Sequence, residues 1–395
     1  MLIGIVGKPN CGKSTFFRAM TDSDVESANY PFATIDPNEG VGYVRVDCAA
    51  PDFDETCDPR TGRCVDGDRF VPVNLMDVAG LVPDAHEGKG MGLEFLDDLN
   101  RADALIHVID ASGGTNAEGE PVENGSYDPA NDIEFLEDEL DQWYLQTLQD
   151  DWEKLVRKVS QTDLERDEEL SERMSGLGAS EADVKSALLD AGLAETELGA
   201  WSASDKLRFC SSLRRLTKPM VIAANKADVP GAMDTVERLQ EDYPEYAIVP
   251  MSAQCELVLR DAAAQDVVSY LPGNDSFSVE RDMSDEQRDG LDFVASVLDD
   301  IGSTGAQRVL DTAVFDVLDM VYAFPGSDKL EDKDGNTLPD CFLLPGGSTV
   351  LDFAYHIHSD IGDNFVQAYD VRQGVNVSKD YELSDGDVVE IVADD

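Results

Sequence analysis

Basic residues are scarce in this chain. Its 395 residues include 30 Lys and Arg against 82 Asp and Glu, which gives a formal net charge of −52. Because nucleic-acid phosphates are bound mainly through Lys and Arg, this balance argues against a general DNA-binding protein. At about 1 M salt the Debye length is only about 3 Å, so such a charge is tolerated in a salty medium. The acidic residues spread over the whole chain favour adaptation to a halophilic cytosol over a merely acidic mesophilic protein.

Long apolar runs and abundant cysteine are also missing. No stretch approaches the roughly 18 apolar residues of a membrane span, and the apolar start Leu2–Val6 is too short for a signal peptide. We therefore expect no membrane association. The chain has seven cysteines, an odd number spread over a long sequence, which is not typical of a secreted disulfide framework. We therefore expect the protein to be in a reducing cytoplasm.

Short apolar runs alternate with helical patterns, which is typical of a doubly wound, mostly parallel α/β sheet. Hydrophobic residues make up 42% of the chain, enough for a large core. The predicted strands are Leu2–Val6 and residues 41–46, 70–76, 104–109, 220–224 and 247–249.

Two stretches interrupt this alternation. Residues 116–131 are polar and rich in Gly and Pro, and the helical spacing that follows predicts a coiled-coil-like insertion, with a pair of long helices as one form of it. From about 320 onward, short strands surround a helix candidate at 349–359, which predicts a small β-grasp domain. The predicted segments are an α/β domain in two parts (1–115 and 216–275), the insertion (116–215), a helical connector (276–318) and the β-grasp domain (319–395).

A phosphate-binding loop stands between the first strand and the first helix. The residues Gly7-x-x-x-x-Gly12-Lys13-Ser14 match the Walker A pattern in its proper setting. Its backbone amides and the helix start favour bound phosphates. We expect Lys13 to reach the β- and γ-phosphates and Ser14 to coordinate Mg²⁺. The predicted nucleotide-binding residues of this loop are Gly7, Asn10, Cys11, Gly12, Lys13, Ser14 and Thr15.

Two further motifs follow buried strands. Asp77-Val78-Ala79-Gly80 matches DxxG, in which the Asp holds Mg²⁺ and the Gly amide senses the γ-phosphate. Asn225-Lys226-Ala227-Asp228 matches NKxD, whose carboxylate accepts from the paired ring NH and amino group of guanine. Ser252 and Ala253 follow the next strand and fit the last loop that contacts the base.

The order of these motifs resembles that of translation-factor-class GTPases. The segments 30–38 and 77–92 resemble the Obg family, and the insertion and C-terminal domain are similar to its YchF (Obg-like ATPase) branch. The C-terminal segments 344–349 and 383–391 are similar to a TGS domain.

This resemblance implies further roles. Thr34 matches the switch-I threonine that ligates Mg²⁺ in the triphosphate state, so Lys13, Thr34 and Gly80 form the predicted catalytic set and Ser14, Thr34 and Asp77 the metal ligands. Leu81 stands where Ras-like enzymes place a water-orienting Gln. We therefore expect another residue or a partner to orient the attacking water. His86 is a candidate for this role, although a solvated loop histidine without a catalytic role is the simpler interpretation.

The resulting hypothesis is a Mg²⁺-dependent GTPase that binds GTP and GDP and acts as a switch, with the ribosome or translation factors as the implied partner. The intact Asp228 favours GTP over ATP. An ATPase of the same fold remains an alternative, as does an adaptor whose bound nucleotide hardly turns over, because Leu81 cannot orient water.

Two smaller points stay open at the level of sequence. Asn10 resembles the position that holds K⁺ in potassium-activated GTPases without the switch-II Gln, although a bracing role is equally natural for Asn. Cys48, Cys57 and Cys64 lie close in sequence, but zinc usually needs four ligands and residues 48–69 offer no fourth Cys or His. Free, redox-sensitive thiols are the simpler interpretation.

Overall fold

The computed structural model of the chain describes residues 1–21, 38–78, 98–161, 165–327, 330–332 and 335–394. These residues form two compact units. The first contains Met1–Ala19 and Leu75–Val309, and the second contains Met20–Asn74 and Leu310–Asp395. The sequence pattern does not reveal this grouping of residues 20–74 with the C-terminal residues.

The strands follow the predicted apolar runs closely and extend most of them by one to three residues. They are β1 Leu2–Val6, β2 Glu39–Asp47, β3 Arg63–Val65, β4 Asp68–Asp77, β5 Ala104–Asp110, β6 Met220–Asn225, β7 Ala247–Pro250, β8 Val268–Ser269, β9 Ser278–Val279, β10 Met320–Pro325, β11 Phe342–Pro345, β12 Phe365–Asp370, β13 Val375–Val377 and β14 Asp387–Ala393.

A parallel sheet forms the centre of the first unit, as the apolar runs predicted. Strands β1, β5, β6 and β7 are neighbours in that order, and all three pairings are parallel. Every residue of β5 and β6 is buried. Since parallel strands end at one edge of their sheet, the residues that follow β1, β5, β6 and β7 are brought together there.

The insertion between β5 and β6 is a group of shorter helices and not the pair of long helices that the spacing suggested. Capping boxes at Ser180 and Ser202 start two of the helices and so divide the insertion into separate elements. Its own core includes Tyr144, Leu170 and Phe209. The helices of the insertion are Ala130–Gln149, Trp152–Gln161, Arg166–Met174, Glu181–Asp190 and Ala203–Thr217.

Further helices flank the strands of the two units. In the first unit they begin at the phosphate-binding loop and continue after β6 and β7. They are Lys13–Thr21, Ala232–Asp242, Ala253–Ala264, Asp285–Ile301 and Ala306–Asp311, and the second unit adds Val350–Ile357 and Ser359–Asp363.

The second unit contains the predicted C-terminal β-grasp arrangement. Its five-stranded sheet has the order β11-β10-β14-β12-β13, in which only β10 and β14 pair in parallel. The helix Val350–Ile357 packs on this sheet through Val350 and Phe353. In the same unit β3 and β4 form an antiparallel hairpin that carries one of the clustered cysteines.

No helix among the described residues combines the length and the apolar character that crossing a membrane requires.

Candidate nucleotide-binding site

A cavity of about 450 Å³ opens at the edge of the sheet where β1, β6 and β7 end. Its lining comes from the phosphate-binding loop, from the NKxD segment and from the loop after β7. The lining residues are Lys8, Pro9, Asn10, Gly12, Lys13, Ser14, Thr15, Asn225, Lys226, Asp228, Val229, Ser252 and Gln254. The structure therefore brings the separate motifs of the sequence into one place.

The remaining predicted residues have other positions. Gly7, Cys11 and Ala253 do not line the cavity, and Cys11 and Ala253 are buried beside it. Burial raises the pKa of the Cys11 thiol to about 11, so this side chain is an uncharged filler of the loop. Thr34 and Gly80 lie outside the described residues.

Asn225 links three motifs through its side chain. Its Nδ2 donates to the Cys11 carbonyl oxygen at 2.7 Å, and its Oδ1 accepts from the Ala253 amide at 3.0 Å. A Cβ atom on Gly12, where φ is +101°, would lie 2.0 Å from Asn225 Nδ2. Only glycine satisfies both the backbone conformation and this close approach.

Lys13 contacts the segment that follows β4. Its ammonium group pairs with Asp77 and also donates to the Val78 carbonyl oxygen at 2.7 Å. The predicted phosphate-binding and metal-binding residues therefore touch each other.

Asp110 anchors the NKxD lysine and was missed by the sequence analysis. The carboxylate is fully buried at the end of β5, and it pairs with Lys226 Nζ at 2.7 Å. Ser112 and Thr115 donate further hydrogen bonds to it. The signal in the sequence was a charged residue that ends a fully buried strand.

The loop after β5 braces the phosphate-binding loop. Lys8, which is buried, pairs with Asp132 at 2.9 Å, donates to the Thr115 carbonyl oxygen and lies 3.8 Å from the centre of the Tyr127 ring. Asn10 Nδ2 donates to the Gly119 carbonyl oxygen at 2.9 Å. This contact supports the bracing role for Asn10 and fixes the direction of its side chain.

A second buried network supports the loop after β7. Glu256 accepts from Thr304 Oγ1 at 2.5 Å, from Tyr270 at 2.8 Å and from Arg260 at 2.5 Å. The Thr304 carbonyl oxygen in turn accepts from the Ser252 amide at 2.8 Å. The position of Ser252 is thus set by residues about fifty positions later, which a local motif cannot show.

The three clustered cysteines meet in the second unit. The Sγ atoms of Cys48, Cys57 and Cys64 all lie within 4.8 Å of one another. A hydrogen bond from the Cys48 thiol, helped by Cys64 and by the nearby Arg69 guanidinium, lowers the pKa of Cys57 to about 5.

Comparison with known protein families gives three consistent matches, which together cover the chain except residues 144–222 and its extreme ends. Residues 2–143 match the 50S ribosome-binding GTPase family, residues 223–328 match the G4 motif-containing domain of the YGR210-like Obg-like GTPases, and residues 329–393 match the TGS domain.

Individual relatives agree with these family matches. An uncharacterised GTP-binding protein of Methanocaldococcus jannaschii is 43% identical over 99% of both chains. An uncharacterised GTP-binding protein of Schizosaccharomyces pombe is 36% identical over 88% of both chains. The Obg-like ATPase 1 of rice is 30% identical over 70% of this chain and 67% of its own length.

Solved structures show the same fold. A GTP-binding protein from Pyrococcus horikoshii superimposes over the full length of both chains with a TM-score of 0.80 at 37% identity. The YchF GTPase of S. pombe covers 99% of this chain with a TM-score of 0.60. The predicted fold is confirmed, and the chain belongs to the Obg-like family of P-loop GTPases, in the branch that carries a C-terminal TGS domain.

Proposed function

We propose that the chain is a Mg²⁺-dependent GTPase that acts as a switch on the ribosome or on translation factors. The observation that carries this proposal is that Lys13 of the phosphate-binding loop and Asp228 of the NKxD segment line the same cavity. A nucleotide seated there has its phosphates at the start of the helix Lys13–Thr21 and its base at Asp228.

The residues near Lys13 fit a magnesium ion. Ser14 supplies a hydroxyl oxygen and Asp77 a carboxylate, which are the hard oxygen ligands that Mg²⁺ prefers. Thr34 would add a third ligand. A bound Mg²⁺ neutralises charge on the phosphate oxygens. Lys13 now pairs with Asp77, so we expect it to exchange that carboxylate for phosphate oxygens when a triphosphate binds.

Hydrolysis in this site depends on positioning and on charge neutralisation. Lys13 and the loop amides hold the phosphates, and the Gly80 amide senses the γ-phosphate. Leu81 follows Gly80 in the sequence and cannot orient the attacking water. We therefore propose that a partner stimulates the reaction, and that Thr34 and residues 77–92 are the segments ordered by the γ-phosphate.

The ribosomal partner is supported by the family match of residues 2–143 and by the TGS domain. The net charge of −52 makes binding to RNA unfavourable unless salt screens it. Any association should therefore be measured in molar KCl.

Two measurements test the proposal. Single-turnover GTP hydrolysis in molar KCl should require Mg²⁺, should be strongly reduced in Ser14→Ala and should be unchanged in the exposed control Ser160→Ala. Ribosomal subunits should then accelerate hydrolysis and should bind the chain with a nonhydrolysable GTP analogue better than with GDP.

Each half of the proposal can fail separately. Hydrolysis that is indifferent to Mg²⁺ and to Ser14→Ala would remove the proposed metal site. Equal binding to ribosomes in both nucleotide states would remove the switch. Bound GTP that does not turn over even with ribosomes would favour the adaptor function.

An ATPase is the second candidate, because relatives named Obg-like ATPase 1 are about 30% identical. The two candidates differ in the base that the NKxD segment selects.

A further inference from the structure

The second unit contains a compact site of three thiols that the nucleotide chemistry does not use. Cys48 and Cys57 are buried, with 6% and 8% of their surface exposed, and Cys64 is partly exposed on β3. Their Sγ atoms lie within 4.8 Å of one another. Thiolates at about 2.3 Å from a tetrahedral zinc ion are roughly 3.8 Å apart, so small side-chain movements would close the cluster on a metal.

The backbone holds these thiols in place before any ligand binds. Asp66 and Gly67 both have positive φ, of 52° and 94°, and form the tight turn between β3 and β4. The Gly67 carbonyl oxygen accepts from the Cys48 amide at 2.8 Å. The turn of the hairpin is therefore tied to the chain that carries the first thiol.

The return of the chain into β3 also requires a specific residue. Gly62 has a φ of +71°, and a Cβ atom there would lie 2.0 Å from the Phe70 carbonyl oxygen. This close approach delivers Cys64 opposite Arg69 in the antiparallel register of β3 and β4.

Arg69 supplies the second, independent observation. Only 1% of its surface is exposed, and its Nη atoms donate to the carbonyl oxygens of Leu338 and Pro339. Its Nε has no hydrogen-bond partner, and among the described residues no carboxylate lies within 4.0 Å of its guanidinium. A buried cation of this kind needs a nearby negative charge, and the cysteine cluster is what lies beside it.

Charge balance indicates the kind of ligand. Three thiolates around a divalent cation carry a net charge of −1, which matches the single charge of Arg69. Thiolates select thiophilic ions of the zinc class over Mg²⁺ or Ca²⁺. We propose that Cys48, Cys57 and Cys64 bind one zinc-class metal ion, with water in the fourth position and Arg69 as the compensating cation.

Such an ion would join three points of the cysteine loop, which already contacts the C-terminal part of the same unit. The Asp58 amide donates to the Thr337 carbonyl oxygen, and Arg60 pairs with Asp332 and Asp340. Cys341 is buried nearby but is not within the 4.8 Å group. A metal at the three thiols would therefore rigidify residues 48–64 at the place where this loop meets the C-terminal segment.

Zinc titration of the full-length chain tests this proposal. The reduced chain is stripped with a chelator and titrated anaerobically in molar KCl against a chromophoric zinc competitor, with Co²⁺ as a spectroscopic probe of thiolate ligation. We expect one zinc per chain and a thiolate-to-cobalt charge-transfer band. Cys48→Ser, Cys57→Ser and Cys64→Ser should each lower zinc affinity by more than the roughly 10- to 100-fold cost of losing an outer-shell partner.

Two cysteine variants are the matched controls. Cys210→Ser removes a buried thiol of the first unit, and Cys341→Ser removes the nearest thiol outside the cluster; both should keep wild-type zinc affinity. A circular dichroism spectrum and an unfolding midpoint, measured on each variant, report whether both units are still folded.

Three results would overturn the assignment. The first is a reduced wild-type chain that binds far less than one zinc, a measurement that does not depend on any variant. The second is a loss of affinity in Cys341→Ser as large as in the other three, which would mean four thiolates. The third is a stable disulfide among the three cysteines under conditions in which Cys210 and Cys255 stay reduced, with no zinc bound after reduction.

Discussion

At the scale of single residues, the proposed function assigns to Asp228 the selection of the base. Its carboxylate lines the cavity beside Lys226, whose own position is fixed by the buried Asp110. Loss of a charge-assisted bidentate contact costs about 1.5–3 kcal/mol, or one to two decades of affinity. Asp228→Ala should therefore lower the affinity for GTP by about 10- to 100-fold and leave the affinity for ATP nearly unchanged. Competition titrations of both nucleotides measure this.

The control for Asp228 is Asp234→Ala, an exposed carboxylate in the first turn of the helix Ala232–Asp242. It should not alter the ratio of the two affinities. Equal affinity of the wild type for GTP and ATP would contradict guanine selection and favour the ATPase.

His107 makes the stability of the fold depend on pH. It lies in the centre of β5, fully buried, and neither ring nitrogen has a hydrogen-bond partner among the described residues. Burial, with a smaller contribution from Lys8, lowers its pKa to about 3 from an ordinary value of 6.5. The unfolded chain therefore takes up a proton that the folded chain does not, so His107 costs no stability above pH 6.5 and an increasing amount as pH falls toward 3.

Comparison with His107→Leu isolates this effect from the protonation of the many carboxylates. Between pH 7.5 and 5 the unfolding free energy of the wild type should fall by about 2 kcal/mol more than that of the variant. Denaturant unfolding at each pH measures the difference. Parallel pH dependences in the two proteins would show that the folded chain protonates His107 as readily as the unfolded chain does.

At the scale of elements, the Glu256 network joins the helix Ala253–Ala264 to residues near 304. Glu256→Gln removes the negative charge that faces Arg260 and so breaks a largely buried ion pair. We expect a loss of about 2–4 kcal/mol in unfolding free energy, together with weaker GDP binding because Ser252 is held through Thr304. Urea unfolding and GDP titration in molar KCl are the measurements.

Glu237→Gln, an exposed position of the helix Ala232–Asp242, is the matched control and should be close to neutral. If Glu256→Gln were as stable as this control, the negative charge of Glu256 would not be needed for stability. The network would then not set the position of Ser252.

The loop of residues 111–129 contacts Asn10, the residue that would hold an activating K⁺ ion. Asn10 donates through Nδ2 to Gly119, and among the described residues no donor reaches its Oδ1, the atom that a K⁺ ion would need. We expect faster GTP hydrolysis in KCl than in NaCl at equal ionic strength, and no difference between the salts in Asn10→Ala. A purely bracing Asn10 would instead lower GDP affinity equally in both salts and leave any potassium effect intact.

The sequence predicted the elements and motifs whose information is local. The strands of the parallel sheet are continuous apolar runs, and the phosphate-binding loop and NKxD segment are short patterns with a fixed chemistry. Asp110, Glu256 and Thr304 were missed because their roles depend on contacts between segments far apart in the chain. The prediction of a pair of long helices in the insertion was wrong, because capping residues at 180 and 202 divide it into shorter helices.

The cysteine cluster shows the same limit. The sequence analysis found no fourth zinc ligand within residues 48–69 and therefore favoured free thiols. The two turns at Gly62 and Gly67 bring the three thiols together, and Arg69 faces them across the β3–β4 hairpin. The spacing of the Cys residues in the sequence shows neither that the three thiols meet nor that a buried cation lies beside them.

At the scale of the whole molecule, the charge of −52 makes stability depend on salt. Residues 131–175 alone carry 15 acidic against 5 basic residues. Within this stretch partial burial and the neighbouring carboxylates of Asp141, Glu137, Glu134 and Glu139 raise the pKa of Asp138, as expected where like charges are crowded. Such repulsion is weak when the Debye length is about 3 Å and strong when it is about 10 Å.

Transfer from about 1 M to about 0.1 M KCl should therefore lower the unfolding temperature markedly. Saturating GDP in both solutions keeps the contribution of bound nucleotide the same. NaCl and choline chloride should restore stability as well as KCl does, because screening depends on ionic strength and not on the cation. Asp138→Asn should reduce the difference in unfolding temperature between the two KCl concentrations, because it should stabilise the chain more at low salt than at high salt. An unfolding temperature that is the same in both solutions would mean that the acidic surface is adapted to something other than salt, and recovery in KCl alone would replace screening with specific binding of K⁺.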